Sequence, residues 1–299
     1  MMNDTIHIPV LLHEIIDIFQ PLPGQCFVDG TANGGGHAFA LWEKVKPNGT
    51  ILAIDKDCDL IRRLAEKAKE RDARIVCSCG SYADAERIIA DHGIKHVSGI
   101  LLDLGYSSYH IEGSGRGFSF QKDEPLIMRY EPNATEGVTA RDVVNEFPEQ
   151  DLADIFYRYG EERFSRRIAR EICTARKRTA IETTQQLADI VSRGKPRRFW
   201  GRIHPATKVF QALRIYVNEE LADLERALPA LCAALESNGK IAIITFHSLE
   251  DRIVKHFFKQ QEKDGIMKII TKKPIVPTDT EMRDNPRARS AKLRVAIKA

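Results

Sequence analysis

Four short apolar runs, each of strand length, punctuate the first third of the sequence: Cys26 to Asp29, Ile51 to Asp55, Arg74 to Ser78 and Gly99 to Asp103. Between them lie helix-length stretches, around 38–45, 60–69 and 83–92, whose apolar residues recur at helical spacing. Strands separated by helices cannot close tight hairpins. Each crosses over to lie parallel to its neighbour, which predicts a doubly wound α/β sheet. The pattern stops near residue 113. From there to 203 no strand is expected, and helical segments at 149–159, 164–177 and 183–192 are split by Gly- and Pro-bearing turns. A long helix around 206–235 then leads back to a buried strand at Lys240–Phe246. A helix to about Gln261 follows, with strand-like runs at Met267–Thr271 and Leu293–Ile297. The expected organisation is an α/β domain built from 1–112 and 204–299, interrupted by an all-helical insertion at 113–203.

Composition agrees with a globular chain. Of 299 residues, 43% are hydrophobic and 29% charged, and no apolar run approaches the roughly 18 residues of a membrane span. The N-terminus carries Asp4 and Glu14 without a basic leader or a small-residue cleavage site, so a cytoplasmic protein is expected. The six cysteines, at 26, 58, 77, 79, 173 and 232, form no CxxC pair. Reduced structural thiols are predicted rather than a metal site. The net charge, 45 − 42 = +3, averages unequal parts. From Arg158 to Arg214 fifteen Lys or Arg face five acids, and from Arg283 to Lys298 six face one. Such clustering suggests a polyanionic partner; solvated helix faces would give the same composition.

The first run ends in Asp29-Gly30-Thr31-Ala32-Asn33-Gly34-Gly35-Gly36-His37, and a helix follows. Glycines let backbone approach a ligand and adopt positive φ, while the helix start offers unpaired N–H donors. A P-loop is excluded because no lysine follows the glycines, and the dinucleotide fingerprint fails because Ala32 stands where its second glycine belongs. What remains is an acid at a strand tip, a glycine cluster, and a second acid, Asp55, at the next strand tip. Asp55 can accept from both hydroxyls of a ribose, and the loop can admit the amino-acid portion of S-adenosylmethionine. Two aspartates capping a Gly-rich turn are the plainer alternative.

In open α/β sheets ligands bind beyond the carboxyl ends of the strands, where strand order reverses. The fourth run delivers Asp103-Leu104-Gly105-Tyr106-Ser107-Ser108 to that edge. It is similar to the acid-Pro-Pro-aromatic turn of amino-methyltransferases in position and first residue, without the prolines. An exocyclic amine on a base is a poor nucleophile, because its lone pair is delocalised. An acceptor such as Asp103 on its N–H favours a pyramidal nitrogen and relieves the charge that develops on attack. Methylation at ring carbon would call for a cysteine there, and none follows this strand. Asp103 as a helix cap or a ligand to the cofactor's amino group is the competing assignment. Farther on, Phe246-His247-Ser248-Leu249-Glu250-Asp251-Arg252 could suggest a hydrolase, but a catalytic triad is assembled from separate segments. Ser248 with Asp251 is expected to cap a helix, which leaves His247 for the site.

Eight ordered blocks carry a resemblance over essentially the whole chain. They are HIPVLLHE (7–14), DGTANGGGH (29–37), DLGYSS (103–108), RGFSF (116–120), YGEERFSRRIA (159–169), HPATKVFQALRIYVNEEL (204–221), FHSLEDRIVK (246–255) and NPRARSAKLR (285–294). Together the blocks resemble the bacterial ribosomal RNA small-subunit methyltransferase H, or MraW, family. The resemblance implies a Rossmann-like class I methyltransferase sheet with an inserted all-helical, RNA-recognising domain. It implies S-adenosyl-L-methionine as cofactor, no metal, and transfer of a methyl group to N4 of a cytidine in the decoding centre of 16S ribosomal RNA, within a small-subunit particle. Carried onto this sequence, it places the cofactor on Gly35, Gly36, His37, Asp55, Tyr82, Asp103 and His110, with Asp103 also catalytic. The chain departs from the family pattern at His110, where glutamine is usual, and at Cys58, where proline is usual. Tyr106 stands in place of a small aliphatic residue and Ile127 in place of an aspartate, and the stretch between 270 and 285 is short.

Without the resemblance, charge and spacing do not separate an RNA cytosine-N4 methyltransferase from a methyltransferase acting on another RNA, DNA or a protein amine. A non-catalytic RNA-binding factor is disfavoured, because an unused pocket has no need of a glycine loop between two strand-end acids.

Overall fold

The computed structural model describes residues 9–131, 137–201 and 203–299, so Asp4, His7 and Ile8 near the N-terminus and Arg202 of the basic stretch from Arg158 to Arg214 lie outside the described residues. Two compact units emerge, Met1–Ser107 with Leu221–Ala299, and Ser108–Glu220. The first holds a seven-stranded sheet of β1 (Cys26–Asp29), β2 (Thr50–Asp55), β3 (Ile75–Cys79), β4 (Val97–Asp103), β5 (Leu235–Thr245), β6 (Met267–Ile269) and β7 (Lys292–Lys298), in the order β3-β2-β1-β4-β5-β7-β6. The first five strands pair in parallel, whereas β7 runs antiparallel to β5 and β6. The helices in chain order are α1 (Leu12–Phe19), α2 (Gly36–Val45), α3 (Cys58–Glu70) and α4 (Ala85–Asp91), then α5 (Ser108–Glu112), α6 (Ala140–Glu146), α7 (Glu149–Gly160), α8 (Ser165–Arg176), α9 (Thr184–Gly194) and α10 (Thr207–Val217), then α11 (Glu220–Ala234), α12 (Ser248–Lys263) and α13 (Asp279–Asp284).

Strand side chains alternate between faces, so a strand buried on both sides is apolar throughout. Phe27, Ile51, Ala53, Leu101 and Ile244 pack on one face against α1, α2 and α3. Val28, Leu52, Ile54, Ile100, Leu102 and Ile243 pack on the other against α4, α11 and α12. That two-sided burial is why the central strands appear in the sequence as unbroken apolar runs. Helix α3 shows the local logic of the crossovers. Asp57 caps it by accepting from the Asp59 and Leu60 N–H groups, a contact worth about 1 kcal/mol in general, and Leu60, Ile61, Leu64 and Ala68 form its buried stripe.

The second unit is helical and has its own core, in which Leu152, Phe156, Ile168, Ile172, Leu187 and Val191 are fully buried. Helices α6 and α9 open with Thr139 and Thr183 in reciprocal capping boxes with Asp142 and Gln186. The unit's limits differ from the expected 113–203. Helix α10 belongs to it because Val209, Phe210, Ala212 and Leu213 complete its core.

Two expectations are corrected. The long helix at 206–235 is two helices. Asn218 turns inward, accepting from the Tyr130 N–H at 2.8 Å and donating to the Met128 carbonyl at 2.7 Å, and Glu219 adopts a left-handed φ of 53°. Nor are all six thiols reduced, since Cys58 and Cys79 form a disulfide with a Cα separation of 5.1 Å. Parallel pairing sets Asp55 opposite Cys79, and Cys58 opens α3 three residues beyond Asp55.

Candidate active site at the ends of β1, β2 and β4

Strand order reverses between β1 and β4, and Asp29 and Asp103 end those two strands. The loop after β1 is stitched to both neighbours: the Gly30 N–H donates to the Leu101 carbonyl and the Ala32 N–H to the Ile54 carbonyl, each at 2.9 Å. A side chain on Gly30 would put its Cβ 2.5 Å from Leu102 Cδ2 and 3.1 Å from Tyr82 Cβ, so the missing Cβ lets the turn nest between β4 and the residues after β3. Gly35 caps α2 at φ 84°, and a Cβ there would lie 2.4 Å from Leu64 Cδ1. The Cβ space of Gly36 faces Pro9 at 3.1 Å. At both positions the space freed by glycine is taken by the chain itself, and a helix's first turn carries backbone N–H groups that its own carbonyls do not satisfy.

Asp55 ends β2 with both oxygens engaged, Oδ2 by the Asn33 N–H at 2.8 Å and Oδ1 by the Asp57 N–H at 2.9 Å. A carboxylate oxygen can accept more than one hydrogen bond, so these backbone contacts do not by themselves bar Asp55 from meeting a hydroxyl. Thr31 was not singled out in the sequence, yet its Oγ1 accepts from the Asp103 N–H at 2.6 Å and locks the tip of β4 to the glycine loop. His37 Nε2 lies 3.0 Å from the Val10 carbonyl. A carbonyl only accepts, so Nε2 carries the hydrogen, and Nδ1 faces Asp103 Oδ2 at 3.8 Å.

The electrostatics are dominated by acids out of water. Asp29, Asp103 and Glu250 are all buried. Burial pushes the Asp29 carboxyl up to about 7; the Thr31 N–H works against the rise and the neighbouring Asp55 adds to it. Asp103 is raised well above the ordinary carboxylate range, first by burial and then by Asp29 and Glu250. Asp29 Oδ2 and Asp103 Oδ1 are buried without a hydrogen-bond partner among the described residues. Unsatisfied buried carboxylate oxygens are costly, and a cation-bearing ligand relieves them. S-adenosylmethionine, with an ammonium and a sulfonium on one short chain, fits that need.

The remaining sequence candidates fall as follows. Gly35, Gly36, His37, Asp55, Tyr82 and Asp103 stand together in the first unit. His110 is in the second unit, buried, its ring 5.0 Å from those of Phe118 and Tyr130. The capping assignment at 246–252 is off by one residue. His247 is the N-cap of α12 and Glu250 its reciprocal partner, accepting from the Phe246 and His247 N–H groups at 2.8 and 3.2 Å. Asp251 instead binds Arg294 through two hydrogen bonds of 2.6 and 3.2 Å. Burial raises the Asp251 carboxyl, and the Arg294 contacts outweigh it and hold the group below its usual range. Asp223, also missed in the sequence, is buried on α11, accepts from the Ser81 hydroxyl at 2.9 Å and pairs with Lys56, fixing the loops after β2 and β3.

In the second unit Arg163, Arg166, Arg167 and Arg170 are all exposed, as their spacing predicts. Other cations of the basic segment serve the fold: Arg214 pairs with Glu220, Lys195 with Glu162, and Arg176 donates to the Val144 carbonyl.

A parallel sheet wound outward on both sides of a β1/β4 reversal, with antiparallel β7 inserted between β5 and β6, is the topology of a class I methyltransferase. The cation-seeking acids at that reversal make it an S-adenosylmethionine-dependent one. The chain belongs to the MraW methylase family, which it matches over residues 4–299. Proteins named ribosomal RNA small subunit methyltransferase H are similar to it along nearly their whole length. That of Persephonella marina is 46% identical, covering 97% of this chain and 98% of its own. That of Syntrophotalea carbinolica is 43% identical, covering 96% of each. That of Deinococcus radiodurans is 46% identical, covering 98% of this chain and 90% of its own. No helix among the described residues is long and apolar enough to cross a membrane.

Proposed function

We propose that this protein, acting in the cytoplasm, transfers the methyl group of S-adenosylmethionine to N4 of a cytidine in the decoding centre of 16S ribosomal RNA, presented within a small-subunit particle. The observation that carries the reading is the pair of buried strand-end carboxylates, Asp29 and Asp103, each with an oxygen lacking a donor among the described residues, in a chain whose relatives bear the small-subunit methyltransferase name. The cofactor supplies a methyl group on a sulfonium. On this reading Asp55 holds the ribose, the first-turn N–H groups at Gly36 and His37 bind the amino-acid end, and Tyr82 walls the pocket. Asp103 accepts an N–H of the target amine, favouring a pyramidal, nucleophilic nitrogen. Tyr106, 40% exposed three residues beyond Asp103, offers an aromatic face to the base.

The thiols support an amine acceptor over a ring carbon. Cys26 stands at the start of β1, away from the carboxyl ends, and burial, reinforced by Glu236, pushes its thiol up to about 11. Burial likewise raises Cys77 and Cys232, and thiols so protonated are poor nucleophiles. The test is nucleoside mass spectrometry of small-subunit ribosomal RNA from cells with and without the gene. N4-methylated cytidine should vanish without it and return with the parent gene but not with Asp103→Asn. An unchanged nucleoside profile would refute the assignment.

A further inference from the structure

Residues 195–201 of the helical unit read KPRRFWG, with two adjacent aromatics, three cations and no acid. Phe199 is 49% exposed and Trp200 40%, unusual for side chains of this size. Their exposure is built in. A single 3-10 turn, Arg197–Phe199, is closed by the Phe199 N–H to the Pro196 carbonyl at 2.9 Å and the Trp200 N–H to the Arg197 carbonyl at 3.0 Å. The indole N–H donates to the Lys195 carbonyl at 3.0 Å, so the polar handle of Trp200 is satisfied within the turn. Lys195 is anchored in turn by its ion pair with the buried Glu162 at 3.0 Å. On the other side the Phe199 ring packs 4.9 Å from that of Phe164, the residue preceding α8. The two rings are therefore pinned at the surface by the fold.

The charge around them has one sign. Arg197 and Arg198 are exposed, with Arg198 stacked 4.9 Å over the Phe199 ring. Through the Phe164 contact the turn adjoins the start of α8, where exposed Arg163, Arg166 and Arg167 have no acidic partner among the described residues. Exposed ring faces bordered by such arginines fit a polyanion that itself carries planar groups. A duplex keeps its bases paired and stacked, so the complement is a single-stranded stretch.

We propose that Phe199 and Trp200 form a stacking platform for unpaired bases of the RNA substrate, flanked by arginines that track its phosphates. The inference rests on the reading that the substrate is RNA and names the surface that grips an unpaired segment. The test is fluorescence anisotropy with a mixed-sequence single-stranded oligoribonucleotide, and with an RNA duplex of the same length, across a salt series. The proteins are the parent, the double variant Phe199→Ala/Trp200→Ala, and Trp200→Tyr. The double variant should bind the single strand about tenfold or more weakly, with an unchanged slope of affinity against salt, because no charge is removed. Duplex binding and S-adenosylmethionine binding should match the parent, and Trp200→Tyr should retain most of the single-strand affinity. The platform is overturned if the double variant binds the single strand as the parent does, or loses single strand and duplex alike. It is also overturned if the variant loses affinity only for intact small ribosomal subunits, which would make the partner a protein. A parent that binds neither RNA overturns the platform as a grip on single strands, while the RNA-substrate reading stands or falls separately on the nucleoside mass spectrometry.

Discussion

Asp103 and Asp55 both end strands, yet their surroundings give them different work. Asp55 is half-buried and tied to two backbone N–H groups, whereas Asp103 is buried among acids with one oxygen unpartnered among the described residues. Asp55→Ala should therefore act mainly on the cofactor. Loss of charge-assisted hydrogen bonds of about 1.5–3 kcal/mol predicts roughly 10- to 100-fold weaker S-adenosylmethionine binding by calorimetry. Asp103→Asn should lower the single-turnover methylation rate more than the cofactor affinity; equal losses would assign it to binding alone. The raised carboxyls also give the cofactor-free protein a pH signature. In the folded state Asp29 stays protonated up to about 7, while an unfolded chain releases that proton near 3.8. Between those values the folded state binds more protons. Stability is thus fully present below the lower value and falls as pH rises through the upper, by up to about 1.4 kcal/mol per pH unit for each such group. Thermal unfolding across this range should show the fall, and Asp29→Asn should flatten it. The strand-end acids were legible in the sequence because an apolar run ending in Asp is a local signal. Thr31 and Asp223 were not, since their contacts with Asp103 and Ser81 join segments 72 and 142 residues apart, and Glu250 comes to bear on Asp103 only in the fold.

Helix α2 illustrates how a binding element depends on packing behind it. Its cap, Gly35, sits at φ 84° with Leu64 of α3 filling the space where a Cβ would go, at 2.4 Å. Gly35→Ala should cost about 1–2 kcal/mol for the left-handed backbone and roughly 1–3 kcal/mol for overpacking, read as a lower unfolding midpoint. It should also weaken cofactor binding, because the first-turn N–H groups move with the cap. A variant with parental stability and affinity would show that this turn is not constrained as described. At this scale the strands were the legible part. Both faces of β1, β2 and β4 are buried, so hydrophobicity alone marked their extent. The break between α10 and α11 was hidden because its cause, the Asn218 side chain reaching Met128 and Tyr130, depends on residues 90 and 88 positions away. The Cys58–Cys79 bridge was hidden for the same reason: sequence separation says nothing of the β2–β3 register that closes it.

Across the whole molecule the two units carry different electrostatic characters, and the proposed reaction assigns them different work. The α/β unit gathers buried acids at its strand ends, suited to a cationic cofactor. The helical unit exposes Arg163, Arg166, Arg167 and Arg170 along α8 and just before it, the last paired with Glu149 at 3.6 Å. The other three have no acidic partner among the described residues, in surroundings that expose Arg197 and Arg198 as well. The target base must be unstacked before its amine can be reached, and that step confers no affinity; phosphate contacts elsewhere have to supply it. Replacing Arg163, Arg166 and Arg167 together with glutamine should leave three phosphates without their cations. Each phosphate no longer neutralised reduces the counterion-release slope by about 0.7 for a single strand, so the plot of log affinity against log salt should flatten by about 2. Because Gly36, His37, Asp55 and Tyr82, proposed to hold the cofactor, belong to the other unit, and His110 is not among the residues replaced, S-adenosylmethionine binding should be unaffected, and the saturated single-turnover rate should fall less than the RNA affinity. If these arginines only solvate α8, variant and parent will share one salt slope. Affinity would then have to come from another surface, for which the basic stretch from Arg283 to Lys298, six cations to one acid, is the next to neutralise.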